Sequence, residues 1–388
     1  MSIPARRVET FGTTIFTEIN VLAQQYNAIN LGQGKPDFDA PTDIVAAVVK
    51  ALQAGRYNQY APGSGTLSLR KAVADHATRF YNMDIDSEKG VLITSGATEG
   101  ILAAVLGLVD PGDEVIVLEP CYDAYVPDII MANAVPVYVP LHPPTWTFDP
   151  AELRAAFTKK TRALILNTPH NPTGRVYTRE ELTMIAALCI EHDVAVISDE
   201  VYEHLTFVDA QHVPIATLPG MFERTVTISS SGKAFNATGW KIGWVYGHPD
   251  LLEGVARSHQ FITFAVHHPT QEGIAYALNL PHTYYAEFQA LYEGKRQLLM
   301  AALDHCGLKY MPPQGTYFVM ADCANFFAGT PTECAYYLTK EIGVACIPPE
   351  TFYCAEHVHF ANKYVRFSFC KSDDMLLAAR ERLATLRK

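Results

Sequence analysis

Between Glu223 and Asp250 the chain carries no acidic residue, although 41 of its 388 residues are acidic. Arg224, Lys233 and Lys241 fall in that stretch, with hydroxyls at Ser229, Ser230, Ser231 and Thr238. A basic, hydroxyl-rich loop without carboxylates suits a phosphate monoester. It also leaves one lysine able to shed its proton and act as a nucleophilic amine. A P-loop is excluded, because Thr227 stands where a glycine is required five residues before Gly232. Lysines simply solvated on a loop are the plain alternative. A second candidate is Asp199, which opens Asp199-Glu200-Val201-Tyr202 behind the apolar run ending at Ser198. A carboxylate there is expected to be partly buried, and a buried carboxylate needs a cation or hydrogen-bond donors. A protonated pyridine nitrogen would serve; so would the amides of a helix that Asp199 caps. Asn171 sits in Thr168-Pro-His-Asn-Pro-Thr-Gly174, where the following proline holds it extended. Such rigidity suits an amide presented to a ligand, and is equally compatible with a turn. Ser95-Gly96-Ala97-Thr98 opens a helix with small residues, which lets backbone N–H groups approach an anion.

These candidates share one position: each follows a short apolar run. The runs are Val91–Thr94, Glu114–Leu118, Pro136–Leu141, Ala163–Asn167, Val194–Ser198, Thr225–Ser229 and Gly243–Tyr246. Most are rich in Val, Ile and Leu without alternation, as in strands buried on both faces. Helical stretches lie between them, for instance Thr178–His192, where Thr178 can cap and Glu181 stands three residues on. Strand–helix alternation predicts an α/β fold with a mostly parallel sheet sandwiched by helices. Ligands then collect at the carboxyl ends of the strands. Residues 1–45 read as loop-rich, and 283–388 as helix, strands and a final helix. The expected organisation is a large domain over 46–282 and a smaller α+β domain made from 1–45 and 283–388.

Composition narrows the function classes. Hydrophobic residues make up 49% of the chain and charged residues 18%, which describes a globular protein rather than a disordered one. The formal net charge of −11 argues against nucleic acid or anionic membranes as partners. The longest apolar run, Ile101–Val109, spans nine residues, about half of a membrane crossing. Arg6-Arg7 is followed by Glu9 and polar residues, not by the apolar core of an export signal. The eight cysteines are scattered, with no pair of them at metal-ligand spacing. They are expected to be buried thiols in a reducing cytoplasm, with no bound metal.

Taken together and in order, Ser-Gly-Ala-Thr, Asn-Pro-Thr-Gly, Asp-Glu-Val-Tyr and Ser-x-Gly-Lys with a second lysine eight residues later resemble the fold type I pyridoxal-phosphate enzymes. More narrowly they resemble class I aminotransferases. The likeness spans the chain, from Leu31-Gly-Gln-Gly-Lys-Pro-Asp-Phe through Tyr60-Ala-Pro-Gly-Ser-Gly and Glu119-Pro-Cys-Tyr-Asp to Val365-Arg366-Phe-Ser-Phe. It is nearest to the branch of kynurenine aminotransferases, glutamine transaminase K and methionine aminotransferases. The resemblance implies that Lys233 binds pyridoxal 5'-phosphate covalently and later moves the proton. It implies Asp199 as partner of the pyridinium nitrogen, Tyr202 and Asn171 as donors to the ring 3-oxygen, and Tyr122 as the ring stacked on the cofactor. Gly96, Ala97, Thr98, Ser230 and Lys241 fall on the phosphate cup, with Tyr60 reaching it from the neighbouring subunit of a homodimer. Arg366 matches the arginine that forks onto the substrate α-carboxylate, helped by Asn171 and the Gly34 backbone. Many relatives carry arginine where Lys241 stands, so the phosphate grip here is a point charge. Phe16 falls where some relatives carry tryptophan.

Two rivals share this pattern. β-Lyases acting on cysteine S-conjugates, like small-ring synthases, use nearly the same residues. Aminotransferase-like transcription regulators carry an N-terminal helix-turn-helix of some 60 or more residues, whereas here the motif begins at Leu31. Dicarboxylate-specific relatives place a second arginine over the substrate side chain. The corresponding stretch, Ser258 to Gln271, has none and offers Phe261, Phe264, His267 and His268. With Phe11 and Phe16 these predict an aromatic, methionine-like or glutamine-like L-amino acid as donor to a 2-oxo acid.

Overall fold

Alternate residues of each central strand enter two different apolar layers, which is why the strand sequences show no alternation. Ile116, Leu118, Leu164, Leu166 and Val196 pack into one cluster. Val115, Val117, Ala163, Ile165 and Ile197 pack into another on the opposite face. Leu182, Ile185 and Leu188 of the Arg179–Glu191 helix cover the first layer. Ile101 and Val105 of the Gly96–Leu108 helix, with Leu252 and Val255 of the Pro249–Ile262 helix, cover the second. The computed structural model describes residues 4–207 and 210–387.

The sheet so enclosed has eight strands in the order Val91–Thr94, Gly243–Gly247, Thr225–Ser230, Ala195–Asp199, Thr161–Asn167, Glu114–Glu119, Val135–His142, Thr147–Phe148. Pairing is parallel from Thr225–Ser230 through Val135–His142. Gly243–Gly247 runs antiparallel to both neighbours, and the short strand Thr147–Phe148 closes the far edge antiparallel. The carboxyl ends of Val91–Thr94, Thr161–Asn167, Ala195–Asp199 and Thr225–Ser230 therefore lie along one edge, where Gly243–Gly247 begins. The predicted cap of the Arg179–Glu191 helix is present in full: Thr178 accepts from the Glu181 amide, and Glu181 accepts from the Thr178 amide.

Outside this sheet, Lys309–Tyr310, Phe318–Asp322 and Tyr364–Ser368 form an antiparallel sheet. Ile29–Asn30 pairs in parallel with Val344–Ala345. Ile15 and Ile19 share an apolar cluster with Leu299, Leu303, Val344 and Val365, which joins the N-terminal segment to the C-terminal third. One expectation needs correction here. The loop-rich segment before residue 46 contains the helix Ile15–Gln25, capped by the Thr14 hydroxyl, which accepts from the Thr17 amide. The helix Thr42–Gln53 also runs through the expected boundary at 45/46; its Ile44 packs with Ile274 of the His268–Leu278 helix.

Candidate active site

Asp199 and Ser230 are each the last residue of a strand, and Gly96 lies two residues beyond another. These ends surround a cavity of about 190 Å³. Ten of the expected residues line it: Gly96, Ala97, Thr98, Tyr122, Asn171, Asp199, Tyr202, Ser230, Lys233 and Lys241. Gly96 has φ +75°, and a Cβ on Gly243 would sit 2.5 Å from the Gly96 carbonyl carbon. Two glycines thus let the start of the Gly96–Leu108 helix press against the strand that follows Lys241. Lys241 Nζ lies 3.3 Å from Thr98 Oγ1 in the first turn of that helix.

Asp199 is buried, and its donors are a phenol and an amide: Tyr125 Oη gives a hydrogen bond of 2.6 Å to Oδ2, and the Val201 N–H lies 3.3 Å from Oδ1. Burial pushes its carboxyl up to about 6, against these hydrogen bonds and the charge of Lys233. Burial likewise pushes the Lys233 amine down, opposed by Cys370 and Asp199. Lys233 Nζ donates to Tyr317 Oη at 2.9 Å, and that hydroxyl donates to the Gly34 carbonyl at 2.8 Å. The Tyr202 ring stands edge-on to Tyr317, with centroids 5.3 Å apart. Tyr122 meets Tyr125 edge-on at 5.6 Å, and burial pushes its phenol up to about 12.

Arg366 is fully buried beside this cavity. Its Nη1 donates to Asn171 Oδ1 at 2.9 Å and its Nη2 to the Gly32 carbonyl at 3.0 Å, both neutral oxygens. Its Nε has no hydrogen-bond partner among the described residues. The guanidinium carbon lies 4.0 Å from the Phe318 ring centre, 5.2 Å from that of Phe16 and 5.3 Å from that of Phe352. Burial lowers its pKa to about 10, with nearby phenols and Asp123 opposing.

Some expectations change. Ser229 donates to Glu203 Oε1 and Ser231 to the Ile242 carbonyl, so these two hydroxyls are committed to the fold. Arg224 pairs with Asp193 at 3.1 Å, a counterion invisible in its own stretch. Tyr60, expected at a neighbouring subunit's site, is 84% exposed and Phe261 86%, and neither lines the cavity of its own chain, which leaves the Tyr60 expectation as it stood. Residues not anticipated include Tyr125, Tyr317 and Asn167, whereas Thr238, one of the anticipated hydroxyls, lines the cavity. Asn167 had a usable signal, since it ends a strand as Asp199 does; it accepts the Asn171 N–H and donates to the Asp199 carbonyl. Tyr125 and Tyr317 had none, because their sequence neighbourhoods resemble ordinary core.

The donor set fits pyridoxal phosphate on three independent points. Helix-start amides with Lys241 and Ser230 make an anion cradle, Asp199 is a buried carboxylate held by neutral donors, and Lys233 is a buried amine in the same cavity. N-Succinyldiaminopimelate aminotransferase from Mycobacterium tuberculosis is 44% identical, with coverage of 99% of this chain and 100% of that one and a TM-score of 0.95. Escherichia coli YbdL, reported with a methionine aminotransferase function, is 38% identical with 99% coverage of both chains and a TM-score of 0.95. Kynurenine–oxoglutarate transaminase of Dictyostelium discoideum is 39% identical, covering 99% of this chain and 97% of its own. The family model for aminotransferase class I and II matches residues 26–383. With its mostly parallel sheet, its strand-end cavity and this match, the chain belongs to the class I and II aminotransferases, fold type I enzymes whose cofactor is pyridoxal phosphate.

Proposed function

We propose that this transaminase takes the amino group from an aromatic, methionine-like or glutamine-like L-amino acid and passes it to a 2-oxo acid by a ping-pong mechanism. The observation that carries the reading is Arg366, a buried cation whose polar partners are neutral and whose neighbours are phenyl rings. A guanidinium in that state favours the bidentate pairing a carboxylate offers. The α-carboxylate would take the fork, with Asn171 orienting it, and the side chain would lie against Phe16 and Phe352. The cofactor, when bound, supplies an electron sink for the negative charge developing at the substrate Cα. Asp199 would hold the ring nitrogen protonated, while Tyr202 and Asn171 donate to the ring oxygen. Tyr122 would cover the ring, and Gly96, Ala97, Thr98, Ser230 and Lys241 would grip the phosphate. Lys233, kept toward its neutral form by burial, would be the base that takes the proton from Cα. Tyr317, fixed on the Gly34 carbonyl, would orient that amine.

The same reading includes a cytoplasmic homodimer in which Tyr60 reaches the partner's phosphate site. Among the described residues no helix is long and apolar enough to cross a membrane. It also keeps two domains, a large one over 46–282 and a smaller one made from 1–45 and 283–388. The β-lyase alternative has no support among the relatives named above. A panel of amino acids with 2-oxo acids, following the product, tests the proposal. Methionine or an aromatic amino acid should exceed aspartate in kcat/KM by on the order of a thousandfold, since an unpaired second carboxylate costs several kcal/mol. The 2-oxo acid formed should retain the donor's side chain. Comparable efficiency with aspartate, or preference for N-succinyldiaminopimelate, would overturn the substrate class; release of pyruvate from a cysteine S-conjugate as the main reaction would overturn transamination.

A further inference from the structure

Three groups of different ligand chemistry converge where the strand Glu114–Glu119 ends, outside the cavity. The Glu119 side chain is 1% exposed and that of His357 16%, with His357 Nδ1 only 2.8 Å from Glu119 Oε2. The other oxygen, Oε1, accepts the Cys354 backbone N–H. A turn in which the His357 N–H bonds to the Cys354 carbonyl brings these two residues together, at the Cys-x-x-His spacing. The Cys354 thiol, a His357 ring nitrogen and a Glu119 carboxylate oxygen all lie within 4.8 Å of one another.

We propose that Glu119, Cys354 and His357 form a site for one thiophilic divalent cation of the zinc class. Thiolate, imidazole and carboxylate together suit zinc, whereas magnesium and calcium prefer oxygen ligands alone. Nitrogen and oxygen ligands of a tetrahedral zinc stand about 3.3 Å apart, so His357 and Glu119, now 2.8 Å apart, need separate by about half an ångström. The cation replaces their hydrogen bond, Cys354 gives its thiol proton to solvent, and the thiolate and carboxylate charges balance the dication. Water takes the fourth position. The site lies beyond the transaminase machinery but touches its frame. Glu119 leads through two residues to Tyr122, while the Cys121 amide bonds the carbonyl of Phe352, which packs near Arg366. An occupied site therefore ties the cavity wall to the segment bordering Arg366.

The test uses the chelator-washed holoenzyme titrated with Co2+ alone and then with Zn2+. One equivalent of Co2+ per chain should give tetrahedral thiolate bands in the red, beyond the cofactor's absorption, and Zn2+ should displace them. Zn2+ should also raise the thermal midpoint. Cys354→Ser should lose the bands, and His357→Gln should weaken Co2+ binding by about tenfold or more. Absence of the bands in the wild-type protein overturns the proposal. So does their survival in Cys354→Ser, which would mean that another cysteine ligates the cation.

Discussion

The ring-rich wall around Lys233 and the aromatic surface around Tyr60 are built from similar residues and end in opposite states. Tyr202, Tyr317 and Tyr125 are buried, and the hydroxyls of Tyr317 and Tyr125 have polar partners within the chain. Tyr60, Phe261 and Phe264 are 84%, 86% and 50% exposed, with Tyr60 resting edge-on against Phe264 at 5.5 Å. The first region is complete in one chain. The second lies open on the single chain, and in the proposed homodimer a partner would cover it. Lesions in the first should act in the chain that carries them, and a lesion at Tyr60 should act in the other chain.

The largest effect belongs to Lys233. Replacing it with alanine should lower turnover by on the order of 10⁴-fold, the upper range for a positioned acid–base group. Borohydride treatment of the loaded wild-type protein should fix the cofactor on the peptide containing Lys233. A label on the peptide containing Lys241 would break the assignment of the buried wall.

Asp199→Asn should fold, keep the cofactor and lose turnover by about 10²–10³-fold, an electrostatic term of oxyanion-hole size. The same variant reads the burial of the carboxyl directly. Its pKa rises from the ordinary 3.8 to about 6 in the folded chain, so folding favours the protonated acid. The wild-type protein, freed of cofactor, then carries no penalty below pH 4 and a growing one as pH climbs to 6. Asparagine does not titrate, so the cofactor-free variant should gain on the wild type through that window, by up to about 3 kcal/mol above pH 6. Equal denaturation midpoints at pH 4 and 7.5 would show that Asp199 is better solvated than its surroundings imply.

How far the sequence discloses these regions follows from how each is held. The strand-end positions of Asp199, Ser230 and Gly96 are legible because an apolar run followed by a polar residue has one outcome in a buried parallel sheet. Tyr317 is not legible, because its role depends on Lys233 and Gly34, residues 84 and 283 positions away. Ser229 and Ser231 mislead for a related reason: their hydroxyls turn toward Glu203 and the Ile242 carbonyl, 26 and 11 positions away, instead of the cavity. The helix Ile15–Gln25 escapes notice beside the Gly and Pro residues that follow it, although Thr14 is a ready cap.

The smallest expected effect decides the comparison most sharply. Tyr60→Phe removes one hydroxyl and leaves the ring on Phe264, so the fold should be unchanged. If that hydroxyl donates to the partner's phosphate, its loss removes one charge-assisted hydrogen bond, about 1.5 kcal/mol or roughly tenfold in cofactor affinity. Mixing then separates the possibilities. In a heterodimer of Tyr60→Phe with Lys233→Ala, one site would combine an intact Lys233 from the first chain with an intact Tyr60 from the second. That site should bind the cofactor with wild-type affinity and turn over normally, while the other carries both lesions. Were Tyr60 to serve its own chain, each site would keep one lesion and mixing would restore nothing. A titration of the mixed protein in which no site binds with wild-type affinity would therefore place Tyr60 in the cavity of its own chain, and the exposed rings around it would need another explanation.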